Sequence, residues 1–208
     1  MHLSFQNFQT ALLDVLLLWV LTCPHEFAHA WVATRLGDDT PRLQGRLTLY
    51  PLAHVDWLGT AILPFITSLL GAGFLGWGKP VMTNTAKLKG GPNGLALVAL
   101  AGPFSNVVMA VILAILARLT LHLASGFAAF AAGGVQLSLY LAIFNLLPVP
   151  PLDGSKLLLA LRVPMVVYRE IAQFGFMLLI VAVSFYGVGR WMAEWSYLGA
   201  RAIFQALP

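Results

Sequence analysis

Leu21-Thr22-Cys23-Pro24-His25-Glu26-Phe27-Ala28-His29-Ala30-Trp31-Val32 sets two histidines and a glutamate inside a stretch apolar enough to cross a bilayer. Histidines at i and i+4 share one face of a helix, so both imidazoles can reach a single metal ion. Glu26, beside the first histidine, can stay off the metal and act as a general base toward water. From Ala11 to Leu36 the charged residues are Asp14, Glu26 and Arg35, and only Glu26 lies near the centre. An ionisable group at membrane depth is costly and marks a functional site by default. The bland alternative is a chance match to a short pattern; the apolar setting and the residues downstream weigh against it.

Working outward, the 208 residues are 59% hydrophobic and 10% charged, against about 25% charged in an ordinary soluble domain. With a mean hydropathy of +0.83, the chain reads as an integral membrane protein made of one domain, residues 1–208. The net charge of +4 comes from Lys and Arg scattered through connections, which speaks to topology and gives no nucleic-acid signal. The single cysteine, Cys23, excludes an internal disulfide framework. It lies about 200° around the helix from His25 and reads as a packing residue. The first segment lacks a basic start and holds the motif itself, so it reads as part of the mature protein and not as a cleaved signal.

Five stretches qualify as spans: Phe8 to Leu36, Trp57 to Trp77, Leu95 to Ala117, Phe127 to Val149, and Ile171 to Val188. The expected fold is an all-α polytopic membrane protein, a bundle of about five to six transmembrane or re-entrant helices. Gly45 to Tyr50 alternates polar and apolar side chains, and Lys79 to Thr83 could pair with it, so a small β element is expected beside the site. Such an edge could accept an extended substrate by strand addition. Trp57 to Trp77 contains Pro64, Gly71, Gly73 and Gly76, and the sequence leaves open whether it spans or re-enters. The connections 78–94 and 150–170 are basic, which by the positive-inside rule puts both in the cytoplasm.

A catalytic zinc takes three protein ligands and leaves one position open. The acids are few: Asp14, Glu26, Asp38, Asp39, Asp56, Asp153, Glu170 and Glu194. No glutamate lies on a nearby following helix, and Ala30 to Arg35 does not continue the longer metzincin pattern. Asp153, in Asn145-Leu146-Leu147-Pro148-Val149-Pro150-Pro151-Leu152-Asp153-Gly154, follows prolines that break the helix where a cavity is needed. Alone it would read as a turn residue or helix cap; with two histidines and no rival glutamate it becomes the third ligand. His54 is the rival ligand, with a supporting polar role equally open. His2 and His122 read as solvated.

On these residues the chain resembles the site-2 protease family of intramembrane zinc metalloproteases. It looks most like small prokaryotic members without an inserted peptide-binding (PDZ) domain or a nucleotide-binding (CBS) tail. The resemblance is carried by His25-Glu26-Phe27-Ala28-His29-Ala30, Gly102-Pro103-Phe104-Ser105-Asn106 and Asn145 through Gly154. Gly45 to Asp56 and Trp77-Gly78-Lys79-Pro80 also fit that subgroup. It implies that His25, His29 and Asp153 bind one zinc ion per chain, that Glu26 is the base, and that Asn145 positions the scissile peptide or stabilises the oxyanion. For Asn106 the simpler reading is an interhelical hydrogen bond. Pro24, directly before the motif, removes a helix N–H and can kink the helix.

The implied reaction is hydrolysis of a peptide bond in or near a transmembrane segment of a membrane-protein substrate, within the lipid bilayer of a prokaryotic cell. A helical substrate must unwind locally before attack. The alternatives are a catalytically silent zinc-binding scaffold, a metal transporter with ligands strung along a path, or a structural membrane protein with an accidental motif. The sequence carries no reading of oligomeric state.

Overall fold

The structure, a computed structural model, describes residues 4–70, 76–185 and 187–207. It starts with the long helix α1 (Phe5–Arg35), whose first turn is closed by Ser4 Oγ accepting the Asn7 N–H. Arg35 in the last turn complements the helix dipole. Leu18, Leu21, His25, His29 and Ala33 recur at steps of three or four and are all buried. The face that packs inward is therefore the face carrying the motif. Pro24 lies within the helix, which continues through it to Arg35.

The short helix α2 (Thr40–Leu43) follows, then a 3-10 turn at Pro51–His54 and a π turn at Trp57–Ile62 that runs into α3 (Leu63–Leu69). The apolar helix Trp57–Leu69 would reach only about 20 Å at 1.5 Å per residue, short of a bilayer core of about 30 Å. Trp77 then returns to its start: its N–H donates to Gly59 O at 2.9 Å and its carbonyl accepts the Thr60 hydroxyl at 2.9 Å. Trp77 therefore lies back beside the start of this helix. Gly71 and Gly73 lie outside the described residues.

Helices α4 (Pro92–Thr120) and α5 (Ser125–Asn145) form an antiparallel pair at the centre. Apolar side chains gain little by leaving lipid, so such pairs rely on close backbone approach. The cluster between them is accordingly rich in small residues, with Ala110, Ala114 and Ala117 on α4 and Ala131 on α5. At Gly134 a Cβ would come within 2.9 Å of both Leu113 and Leu17. α1 packs against α4 and also reaches α5, with Leu21 joining the cluster of α4 and α5 alanines. The C-terminal end of α1 is tied to the approach to α4 by Lys89 N–H donating to Leu36 O at 2.8 Å.

After α5 the chain turns through 146–152 into α6 (Asp153–Ala160), then α7 (Met165–Phe185) and α8 (Val188–Ala206). α7 is bent by 63° between Met165–Gly175 and Met177–Val183. α8 lays Met192, Ser196 and Ala200 into the bundle at four-residue steps, against α5. Among the described residues three helices, α1, α4 and α5, are long and apolar enough to cross a membrane, and α7 makes a fourth if its bent halves count as one span. The protein is an all-α polytopic membrane protein.

The expected β element is a correction. Among the described residues no strand forms, because side chains and turns, not a ladder, take up the backbone of 45–54 and 76–81. Cys23 Sγ donates to Leu49 O at 3.1 Å and His54 Nε2 to Thr48 O at 2.8 Å. The buried Arg46 guanidinium donates to both Ala53 O and Lys79 O, and Lys79 N–H donates to His54 O at 3.0 Å.

Candidate metal centre

Three helices bring the site together. α1 supplies His25, Glu26 and His29, α4 forms the wall opposite, and the start of α6 supplies Asp153. The nitrogens and oxygen converge: His25 Nε2 and His29 Nε2 lie 3.1 Å apart, and Asp153 Oδ2 lies 3.1 Å from the first and 2.9 Å from the second. All three residues are buried. His29 Nδ1 lies 2.7 Å from Val98 O on α4. That bond assigns the proton to Nδ1 and leaves the Nε2 lone pair facing the centre.

Asp153 is the first residue of α6, with Leu152 as its cap; a carboxylate there is favoured by the helix dipole. Its two oxygens are divided, since Oδ2 faces the histidines while Lys156 Nζ approaches Oδ1 at 2.8 Å. The turn that delivers it is tight: a Cβ on Gly154 would meet Leu146 O at 2.2 Å. On the α4 side, a Cβ on Gly102 would fall 2.3 Å from His29 Nε2 and 2.5 Å from His25 Nε2. Only glycine leaves room there for anything between the imidazoles and α4.

The set fits a metal such as zinc. Two imidazole nitrogens and a carboxylate oxygen are ligands zinc takes with a fourth position open. Ligands about 2.0–2.1 Å from a tetrahedral ion sit roughly 3.3 Å from one another, close to the spacing of these three atoms.

Glu26 stands next to the trio and outside it. The Val81 N–H donates to its Oε2 at 2.9 Å. Gly78 allows that segment to pass over α1, where a Cβ would meet Thr22 Cγ2 at 2.2 Å. A cavity of about 180 Å³ opens on the trio and is lined in part by Glu26, Trp77, Val81, Asn106, Asn145 and Lys156. Asn145 is thus brought to the site, with its Nδ2 donating to Leu141 O at 2.9 Å within its own helix.

His54 is not brought in. It is almost fully buried, binds Thr48 O, and does not line the cavity. Burial pushes its imidazole pKa down, outweighing the hydrogen bond to Thr48 O, which suits a neutral Nε2–H donor. Cys23 is likewise a buried packing residue. His122 is exposed, and His2 lies outside the described residues. Gly102, Val81 and Lys156 went unassigned as site residues at the sequence level. For two of them a signal existed: Gly102 lies one turn before a polar Asn106 in an apolar helix, and Lys156 stands three residues after Asp153.

A helical membrane bundle enclosing two histidines, an aspartate and a neighbouring glutamate has the form of a membrane metalloprotease. Comparison with known proteins agrees. The sequence profile of peptidase family M50 matches residues 120–183, which include Asn145 and Asp153. The chain is 39% identical over 178 residues to a Bacillus subtilis protein named "Putative zinc metalloprotease YwhC", covering 80% of this chain and 78% of that one. It is 35% identical over 191 residues to a Mycolicibacterium smegmatis protein named "Putative zinc metalloprotease Rip2", covering 86% and 70%. A Methanocaldococcus jannaschii protein named "Putative zinc metalloprotease MJ0611" is 39% identical over 105 residues, covering 49% and 52%. No solved structure matches at a significant level. The chain belongs to peptidase family M50, the site-2 protease family.

Proposed function

We propose that the protein is an intramembrane zinc metalloprotease, acting as a single domain of residues 1–208, that hydrolyses a peptide bond in or near a transmembrane segment of a membrane protein. The observation that carries this is the convergence of His25, His29 and Asp153 beside a separately anchored Glu26, at a cavity inside the helix bundle. His25 Nε2, His29 Nε2 and Asp153 Oδ2 would hold one zinc ion. When bound, zinc supplies Lewis-acid polarisation of the scissile carbonyl and makes a neighbouring water more acidic.

The rest is the work of the chain. Glu26, fixed through Oε2 by Val81, keeps an oxygen free to take the proton of the attacking water. The same carboxyl then returns a proton to the leaving amine. Asn145, by rotating its amide away from Leu141 O, would donate to the developing oxyanion. The substrate helix must unwind to expose a carbonyl, so helix-breaking residues near the cut should speed cleavage. The basic connections 78–94 and 150–170 would face the cytoplasm, in the cell membrane of a prokaryote.

The test is zinc stoichiometry measured beside cleavage of a single-span substrate, for the detergent-purified wild type, Glu26→Gln and Asp153→Ala. One zinc per chain, kept by an inactive Glu26→Gln and lost by Asp153→Ala, is the expected pattern. A wild type without zinc would overturn the reading. An active Glu26→Gln would remove the base assignment.

A further inference from the structure

Asn106 is 1% exposed, lines the cavity beside the trio, and has a side-chain Oδ1 with no hydrogen-bond partner. It lies on α4 one turn beyond Gly102, on the same face. A buried amide oxygen left unpaired is destabilising and rare in native folds. The simple explanation, a side-chain hydrogen bond joining two helices, is not what the structure contains. At this level α4 and α5 are joined through the main chain, with Ser138 Oγ donating to the backbone carbonyl of Asn106 at 2.7 Å. The residue lines the cavity, while its Oδ1 is enclosed and left without a partner.

Its neighbours each already hold a contact of their own. Glu26 is held by Val81, His29 by Val98, Asp153 by Lys156, and Asn145 spends an N–H on Leu141 O. A primary amide offers one acceptor and two donors, which is the complement of a peptide group. A substrate unwound beside the trio brings main-chain N–H and C=O groups that have lost their helical partners. In an enclosed site those groups must find new ones.

We propose that Asn106 contacts the substrate, its amide turning into the cavity so that Oδ1 accepts a main-chain N–H and Nδ2 donates to a main-chain carbonyl next to the cut. This rests on the protease reading above. It explains why an otherwise apolar helix face carries an unpaired amide: the partner arrives with the substrate.

Asn106→Leu, close in size and apolar, separates this role from a structural one. Three readouts are taken on purified protein: melting temperature with zinc per chain, kcat and KM on a single-span substrate, and affinity for that substrate in the Glu26→Gln background. The variant should keep its zinc and melt at or above the wild-type temperature, because an unpaired buried amide has been removed. Substrate affinity should weaken about tenfold or more, with kcat/KM falling at least as far. Unchanged affinity and KM would overturn the assignment. So would loss of melting temperature and zinc together, which would make the amide structural. If Asn106→Leu does not accumulate, Asn106→Ser is read by the same affinity criterion. A wild type that binds no zinc and cuts nothing would sink the protease reading and this contact with it, whereas an active wild type beside an indifferent variant sinks the contact alone.

Discussion

The backbone N–H of Val81 donates to Glu26 Oε2 at 2.9 Å, so the proposed base is aimed by a segment distant in sequence and not by its own helix. That segment is held in turn by Arg46 on Lys79 O and by His54 O on Lys79 N–H. Removing the donor with Val81→Pro should loosen Glu26 without touching the trio. A hydrogen bond to a charged group is worth about 1.5–3 kcal/mol, so kcat should fall roughly 10- to 100-fold while zinc per chain stays at one. Steady-state kinetics beside metal analysis checks this. Full activity in a zinc-loaded variant would show that Glu26 needs no such anchor.

Gly102 sets the clearance of the centre. An alanine methyl would come within 2.3 Å of His29 Nε2 and 2.5 Å of His25 Nε2, and His29 cannot swing aside without releasing Val98 O. Gly102→Ala should therefore weaken zinc binding by more than the roughly 10–100-fold that loss of a ligand's supporting contact costs. Gly133→Ala is the control, since its Cβ meets nothing within 4 Å, and it should bind zinc like the wild type. Equilibrium dialysis decides, and equal affinities would remove the steric argument.

What could be read from the sequence divides along a physical line. Helix α1 and the placement of His25, Glu26 and His29 follow from local periodicity, which sequence records directly. Asp153 stands out as a candidate because so few acids compete in an apolar chain, and its Oδ2 lies 3.1 and 2.9 Å from the two histidines. Among the described residues no β element forms because the alternation in Gly45 to Tyr50 is not matched by a pairing strand; Arg46 and His54 take up backbone carbonyls through their side chains instead. The places of Gly102, Val81 and Asn106 beside the trio depend on how α4 and the 76–81 segment lie against α1. Those are long-range distances, and no local pattern encodes them. The return of Trp77 to Gly59 is another such long-range contact.

Asp38 ties the end of α1 to the approach to α4, accepting the Thr40 N–H at Oδ1 and the Asn84 N–H at Oδ2. Burial by itself would raise its pKa; the bonds from Thr40 and Asn84, helped by the charge of Lys87, win and hold it below the usual carboxylate range. A carboxyl lowered by folding adds stability above its unfolded pKa and loses it as pH falls through the folded one. Asp38→Asn should then melt below the wild type at pH 7, with the gap closing as pH falls from about 5 toward 2. Melting curves across that range are the check. A gap of constant size would mean that the charge on Asp38 contributes nothing.

Lys156 holds the outer oxygen of Asp153. The contact of 2.8 Å joins residues three apart in the first turn of α6, and the lysine side chain is 28% exposed. Partly solvated pairs of this kind add little to folding, so Lys156→Met should shift the melting temperature only slightly. Its effect should appear in the metal instead. With Oδ1 released, the carboxylate can rotate and present either oxygen, and the geometry at Oδ2 is no longer fixed. Zinc affinity should drop roughly 10- to 100-fold, with Lys156→Arg recovering most of it because a cation still reaches Oδ1. Competition with a chelator of known strength measures this directly. If the methionine variant binds zinc as tightly as the wild type, Asp153 is oriented by the turn before α6 alone, and the lysine is free to serve the substrate.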